Sequence, residues 1–259
     1  MQLSYLGYPG PTYLNCVDAW LGDSVLFGEL NPVERSAHSL IEIEGGYMVF
    51  DSGGELPAPK RTAGQRFRFG SFNHARKLTQ ETINLFCRVM EVNPEAELVL
   101  KSISFCEVAE KQRIRERFEK SGLSSERLIL LDWVENGINH LQRYSEVDVA
   151  LDPIPYGGAT TTAEALWMGV PVVALAGKGM VGRLAASLLI HGNQADWVAF
   201  NLDDYVDIAK SLANEGPRDA AKRANLRHSV QSSALGDGQR LSQELEKHYR
   251  KLRQSVRLC

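Results

Sequence analysis

The sequence predicts an α/β protein: a doubly wound parallel sheet with helices on both faces, preceded by a smaller and less regular segment. Three observations lead there. From Phe67 onward, apolar runs of strand length alternate with amphipathic stretches of helix length. Nearly every apolar run is followed by a helical stretch rather than a two-residue turn, which argues against a sheet built of hairpins. The chain has 259 residues, 44% hydrophobic and 24% charged, which is ordinary for a globular protein and long enough to bury a core without staples.

Residues 1 to about 62 lack a sustained rhythm. "QLSYL" reads as a buried strand, "LGYPGPTYLN" as an ordered loop rich in Gly, Pro and Tyr, and "SLIEIEGGYMVFD" as one or two short strands around Gly45 and Gly46. "SGGELPAPKRTAGQ", residues 52–65, has the Gly, Pro, Ala and charge content of a linker and no apolar period, so a domain boundary is expected there. Then come the strand "RFRFGSF" and the helix "TQETINLFCRVMEVNP", whose Ile83, Phe86 and Met90 share one face. Next are the strand "ELVLKSI" and the charged helix "CEVAEKQRIRERFEKSG", which stops at Gly122. "RLILLDWV" is a strand, "GINHLQRYSEV" a short helix, "DVALDPI" a strand and "TTAEALWMG" a helix. "VPVVALAG", "MVGRLAASLLIHG", "DWVAFN" and "LDDYVDIAKSLANE" continue the alternation. The stretch 63–216 is therefore expected to be one Rossmann-like lobe. Residues 217–259 follow as a polar helical tail broken near "ALGDG".

Composition narrows the function. A net charge of -3, from 29 basic and 32 acidic residues, gives no electrostatic case for nucleic acid or an anionic membrane as the main partner. The four cysteines, at 16, 87, 106 and 259, form no CxxC pair and suggest neither a zinc site nor a disulfide framework, so reduced thiols in a cytoplasmic protein are expected. No apolar run approaches the length of a membrane span, and "MQLSYLGYPG" lacks the basic and apolar regions of a signal peptide. Asp132, Asp152 and Glu164 show no metal-ligand spacing, and no metal is expected.

In an open parallel sheet, ligands bind outside the carboxyl ends of the strands. Four strand-to-helix loops carry unusual residues. In "PYGGATTT", Gly158 lets an anion approach the backbone, while Thr160, Thr161 and Thr162 add hydroxyls at a helix N-terminus. That combination suits a phosphate or diphosphate. Thr161 and Glu164 equally fit an S/T-x-x-E capping box, in which case the glycines only turn the chain. "FGSFNHARKL" brings Asn73, His74, Arg76 and Lys77 together, with Lys77 a candidate to neutralise a diphosphate leaving group; a solvated basic loop is the alternative. His140 and Arg143, three apart on the short helix, fit contacts to a base, or a structural histidine. Gly177 and Gly179, with Arg183 beyond, fit either a second anion contact or a turn with a surface arginine. All four loops open on one edge if the strands are parallel, as a base, a ribose and two phosphates would require.

"LSYLGYPGPT" at 3–12, "FGSFNHARKL" at 69–78, "GATTTAEALWMGVPVV" at 158–173 and "GRLAASLL" at 182–189 together resemble the C-terminal part of the catalytic region of the O-GlcNAc transferase and SPINDLY family. The resemblance runs from Gln2 to about Tyr249. It implies a glycosyltransferase of GT-B architecture, of which residues 63–216 would be the donor-binding lobe and residues 1–62 part of the acceptor-side lobe. It implies that Lys77 contacts the diphosphate, that Thr160 and Thr161 hold phosphate, that Glu164 binds the ribose and that His140 packs on the base, with Arg143 one turn on.

The implied reaction is metal-independent and inverting. It moves GlcNAc, fucose or another hexose from a nucleotide-sugar, a UDP-sugar or GDP-fucose, to Ser or Thr of a protein acceptor, with no further cofactor. Ala159 and His74 depart from the O-GlcNAc transferase pattern, which has His and Gln there, and Glu164 replaces Asp. These departures leave the sugar open. The family's repeats and the upstream half of its acceptor-side lobe have no counterpart here, so an upstream polypeptide that supplies them is an expected partner. The rival reading is a nucleotide-sugar-binding module that does not turn over by itself.

Overall fold

The computed structural model describes residues 2–7, 9–52, 56–133 and 137–256. Two parallel sheets organise the chain. A three-stranded sheet of order β1-β2-β3 contains β1 (Leu3–Ser4), β2 (Ala19–Gly22) and β3 (Ser39–Glu42), with α1 (Pro32–Ala37) between the last two. The expected strand at "QLSYL" is half-buried rather than buried, because it lies at the edge of this sheet. The segment 39–51 yields one strand, and Gly45 and Gly46 turn the chain with φ of +76° and +99°.

The second sheet is larger. In chain order it comprises β4 (Arg68–Ser71), α2 (Gln80–Glu91), β5 (Glu97–Lys101), α3 (Val108–Lys120), β6 (Leu128–Leu131), α4 (Gly137–Gln142), β7 (Val149–Leu151), α5 (Thr160–Trp167), β8 (Val172–Leu175), α6 (Leu184–His191), β9 (Val198–Ala199) and α7 (Leu202–Asn214). Its strand order is β6-β5-β4-β7-β8-β9, and every described pairing is parallel. The alternating strands sort their side chains to two cores. Leu98 and Leu100 of β5 join Phe69, Phe86, Ile114 and Tyr205 under α2, α3 and α7. Val99 joins Val172, Leu166, Leu188 and Val230 on the other face, under α5, α6 and α8 (Ala220–Gln231).

The expected linker is held against this lobe. Arg61 donates to Asp148 at 2.6 Å, and Arg227 of α8 donates to the Pro57 carbonyl at 2.8 Å. After a turn at 234–236, α9 (Gly238–Val256) crosses back to the first sheet, where Leu241 packs with Leu21 and Ile43. The expected tail at 217–259 thus divides between the two sheets. Buried Asp23 joins the sheets as well. It accepts from the Val25, Leu26 and Tyr47 N–H groups and from the Ser187 hydroxyl of α6 at 2.6 Å. No helix among the described residues is long and apolar enough to cross a membrane.

Strand order reverses between β4 and β7: β5 and β6 lie to one side, β8 and β9 to the other. At such a point the loops after the two central strands leave in opposite directions and open a crevice at their carboxyl ends. The loops concerned are 72–79 and 152–159.

Candidate functional site

The crevice assembles residues that are far apart in sequence. The loop after β4 makes a short 3-10 turn, Ala75–Lys77, which carries the Lys77 side chain toward the loop after β7. Lys77 Nζ donates to the Gly157 carbonyl at 2.8 Å and to Asn73 Oδ1 at 3.2 Å, and it lies 4.4 Å from the centre of the Tyr156 ring. Burial lowers the Lys77 pKa, and the neighbouring Asp152 carboxyl opposes that shift. Asn73 Oδ1 also accepts from the Thr161 hydroxyl at 3.2 Å, so one amide ties the two loops together.

Helix α5 begins at Thr160, one residue before the expected start, and its N-cap is Ala159, which offers no side-chain acceptor. Thr161 therefore lies inside the first turn and bonds Asn73, while Glu164 bonds His140. The capping-box alternative does not form. The first-turn N–H groups of α5 are left for another acceptor, at the positive end of the helix dipole. Thr160 is exposed at this end. Thr162 is buried, and its hydroxyl has no partner among the described residues. Gly158 is required by close approach: a Cβ there would lie 2.5 Å from Thr161 Oγ1 and 2.9 Å from Asp152 Oδ1.

Asp152 shapes this turn from below. It is 3% exposed, and its Oδ1 accepts the Gly158 N–H at 2.7 Å. Burial pushes its pKa up to about 7, against the pull of the Gly158 N–H and of Lys77. An unfolded aspartate releases its proton near 3.8. Between these values the folded chain holds a proton that the unfolded chain has lost. Stability from this group is therefore full below about 4, falls as pH rises and is gone above about 7. Asp152→Asn keeps an acceptor for Gly158 but removes the titration. Relative to wild type, its stability in urea unfolding is expected to rise from pH 4.5 to 7 by at most about 1.4 kcal/mol per unit.

The third group of residues sits beside β5. His140 of α4 lies with Nε2 2.9 Å from Glu164 Oε2 and Nδ1 2.7 Å from Nζ of Lys101, the last residue of β5. The Tyr144 hydroxyl donates to the Thr161 carbonyl at 3.1 Å and to Glu164 Oε2 at 3.3 Å. Phe72 packs against Tyr144 at 4.6 Å between ring centres and 6.2 Å from the His140 ring.

Asn73, Lys77, Gly158, Thr160, Thr161, Glu164 and His140 thus share one continuous face. His74 is exposed and its Nδ1 accepts the Arg76 N–H at 3.1 Å, so it closes its own loop. Arg143 follows α4 and donates to Glu146 at 2.6 Å. Part of the loop before α4, at 134–136, lies outside the described residues. Arg183 is 9% exposed and donates to the carbonyls of Val25 and Gly177. It is a buried strut to the turn after β2 rather than a surface arginine. Sequence reasoning missed Lys101 and the role of Asp152. The one signal available was their place at the carboxyl ends of β5 and β7.

The model of glycosyl transferase family 41 matches residues 63–245. The chain is 31% identical over 256 residues to the probable UDP-N-acetylglucosamine–peptide N-acetylglucosaminyltransferase SPINDLY of Solanum lycopersicum, covering 97% of this chain and 27% of that protein. The SPINDLY protein of Arabidopsis thaliana is 32% identical, with 97% and 28% covered. The chain thus spans about a quarter of the length of these relatives. Among solved structures, the K341M mutant of the Thermobaculum terrenum O-GlcNAc transferase superposes with a TM-score of 0.82 at 29% identity, covering 97% of this chain and 48% of that one.

Proposed function

Because the chain belongs to glycosyl transferase family 41, we propose that its larger lobe holds the nucleotide-sugar donor of a protein O-glycosyltransferase. In this GT-B architecture, residues 63–216 form the donor lobe, and residues 1–62 with α9 form part of the acceptor-side lobe. The observation that carries the proposal is the meeting of Lys77, Asn73 and the Gly157–Thr161 turn at the point where strand order reverses.

The reaction transfers a sugar from UDP to a Ser or Thr hydroxyl of a protein. The bond between the anomeric carbon and the diphosphate breaks, and its electron pair leaves with the diphosphate. The acceptor oxygen bonds the anomeric carbon from the opposite face and loses its proton. Charge grows on the departing diphosphate, so groups aimed at it lower the barrier. Lys77 supplies a cation, Thr160 and Thr161 supply hydroxyls, and the uncapped start of α5 supplies N–H groups. Phe72 and His140 flank the nucleoside, and Glu164 accepts from the ribose. The protein acceptor and any upstream polypeptide complete the assembly. The free thiols of Cys16, Cys87 and Cys106 fit a cytoplasmic setting.

Calorimetric titration with UDP and with GDP tests this reading. UDP, the nucleotide in the names of the relatives' donors, is expected to bind; binding of GDP alone would assign a guanosine donor. The absence of heat with both, in a folded sample, overturns the donor assignment.

A further inference from the structure

Lys101 lies at the carboxyl end of β5, 4% exposed, with its ammonium on His140 Nδ1 at 2.7 Å. An ammonium group has three donors and no acceptor. Nδ1 must then be the unprotonated nitrogen, and a neutral imidazole carries its proton on Nε2. That nitrogen is 2.9 Å from Glu164 Oε2, which also receives the Tyr144 hydroxyl. Among the described residues, the charged and titratable groups around His140 are Lys101 from β5, Glu164 from α5, and Tyr144 with Arg143 from the turn after α4; Phe72 closes the apolar side.

We propose that Lys101 is a positioning residue that holds His140 in its Nε2–H tautomer and so fixes the Glu164 carboxylate on the nucleoside face of the crevice. The consequence for the donor rests on the reading given under Proposed function. Among the described residues, both donors fall on Oε2, which leaves Oε1 as the acceptor for a ribose diol. Both nitrogens of His140 are engaged within the protein, so the ring meets a base through its face. It then adds affinity without choosing between uracil and guanine.

The test uses long-range 1H–15N spectra of the imidazoles in the full chain, with His140 identified among six histidines by its loss in His140→Gln. The expected wild-type pattern is Nε2–H. Lys101→Met is expected to lose this single-tautomer pattern and Lys101→Arg to keep it. UDP dissociation constants are expected to rise fivefold or more in the first variant and less than twofold in the second.

A wild-type Nδ1–H pattern, or an unchanged pattern in Lys101→Met, overturns the proposal. A shifted tautomer with UDP affinity within twofold of wild type overturns its link to the donor. If Lys101→Met does not fold, the wild-type and Lys101→Arg patterns decide. Failure of wild type to bind UDP while its Nε2–H pattern responds to Lys101→Met contradicts the donor reading and upholds the tautomer clamp.

Discussion

Lys77→Ala is expected to weaken UDP binding tenfold or more, about 1.4 kcal/mol, with little change in thermal stability. The ammonium already sits at the lip of the glycine turn, held by the Gly157 carbonyl and Asn73. Its partial burial means that water screens it poorly, so its attraction for a diphosphate is larger than that of a surface lysine. The alanine variant removes that charge, which disfavours an anion. Stability is spared because the carbonyl and amide released by the lysine line an open crevice and can bond water. Affinity within twofold of wild type would show that the diphosphate lies elsewhere.

Arg223→Met is expected to destabilise the fold by about 3 kcal/mol, read as a lower urea midpoint. Arg223 is fully buried on the inner face of α8. It donates to the carbonyls of Tyr144 and Val147 at 3.1 and 2.6 Å and lies 3.6 Å from Asp148. Burial lowers its pKa to about 10 against the pull of Asp148. Methionine fills similar space but takes a donor from each of two carbonyls, leaves that of Tyr144 with the Val147 N–H at 3.3 Å, and leaves Asp148 with Arg61 as its ion-pair partner among the described residues. The helices are too close to compensate: Gly169, at φ +68°, abuts the Arg223 backbone with no room for a Cβ. Tyr144 bonds the Thr161 carbonyl and Glu164 of the proposed donor site, so UDP affinity is expected to fall as well. A loss below about 1 kcal/mol would show that the arginine is replaceable packing.

The large sheet was legible because each strand from β4 to β9 is an apolar run bounded by a helix with its own stop and start signals. The first sheet was less so. The β2 stretch "AWLG" and the six-residue α1 span no more than two periods each, too few to show a pattern, and β1 spans two residues. Motifs pointed to Lys77, Thr161 and Glu164 because their spacing is local to one loop or one helix turn. The roles of Lys101 and Asp152 depend on contacts that no spacing encodes. Lys101 meets a histidine 39 residues later, and Asp152 acts on a turn that only a glycine permits. The same limit misled the reading of Arg183 as a surface arginine, since its partners Val25 and Gly177 lie in loops that follow strands of different sheets. The apparent Thr161–Glu164 capping box failed because the helix starts one residue early and tertiary partners claim both side chains.

The central claim is that a diphosphate rests on the turn between β7 and α5, facing Lys77. Backbone 1H–15N spectra of the full chain, recorded while UDP is added, test it most directly. The expected result is that the amides of Gly157 to Thr162 and of Lys77 shift first and furthest, in step with the calorimetric affinity. Shifts centred on Gly177 to Arg183, or none at saturating UDP, would contradict the account.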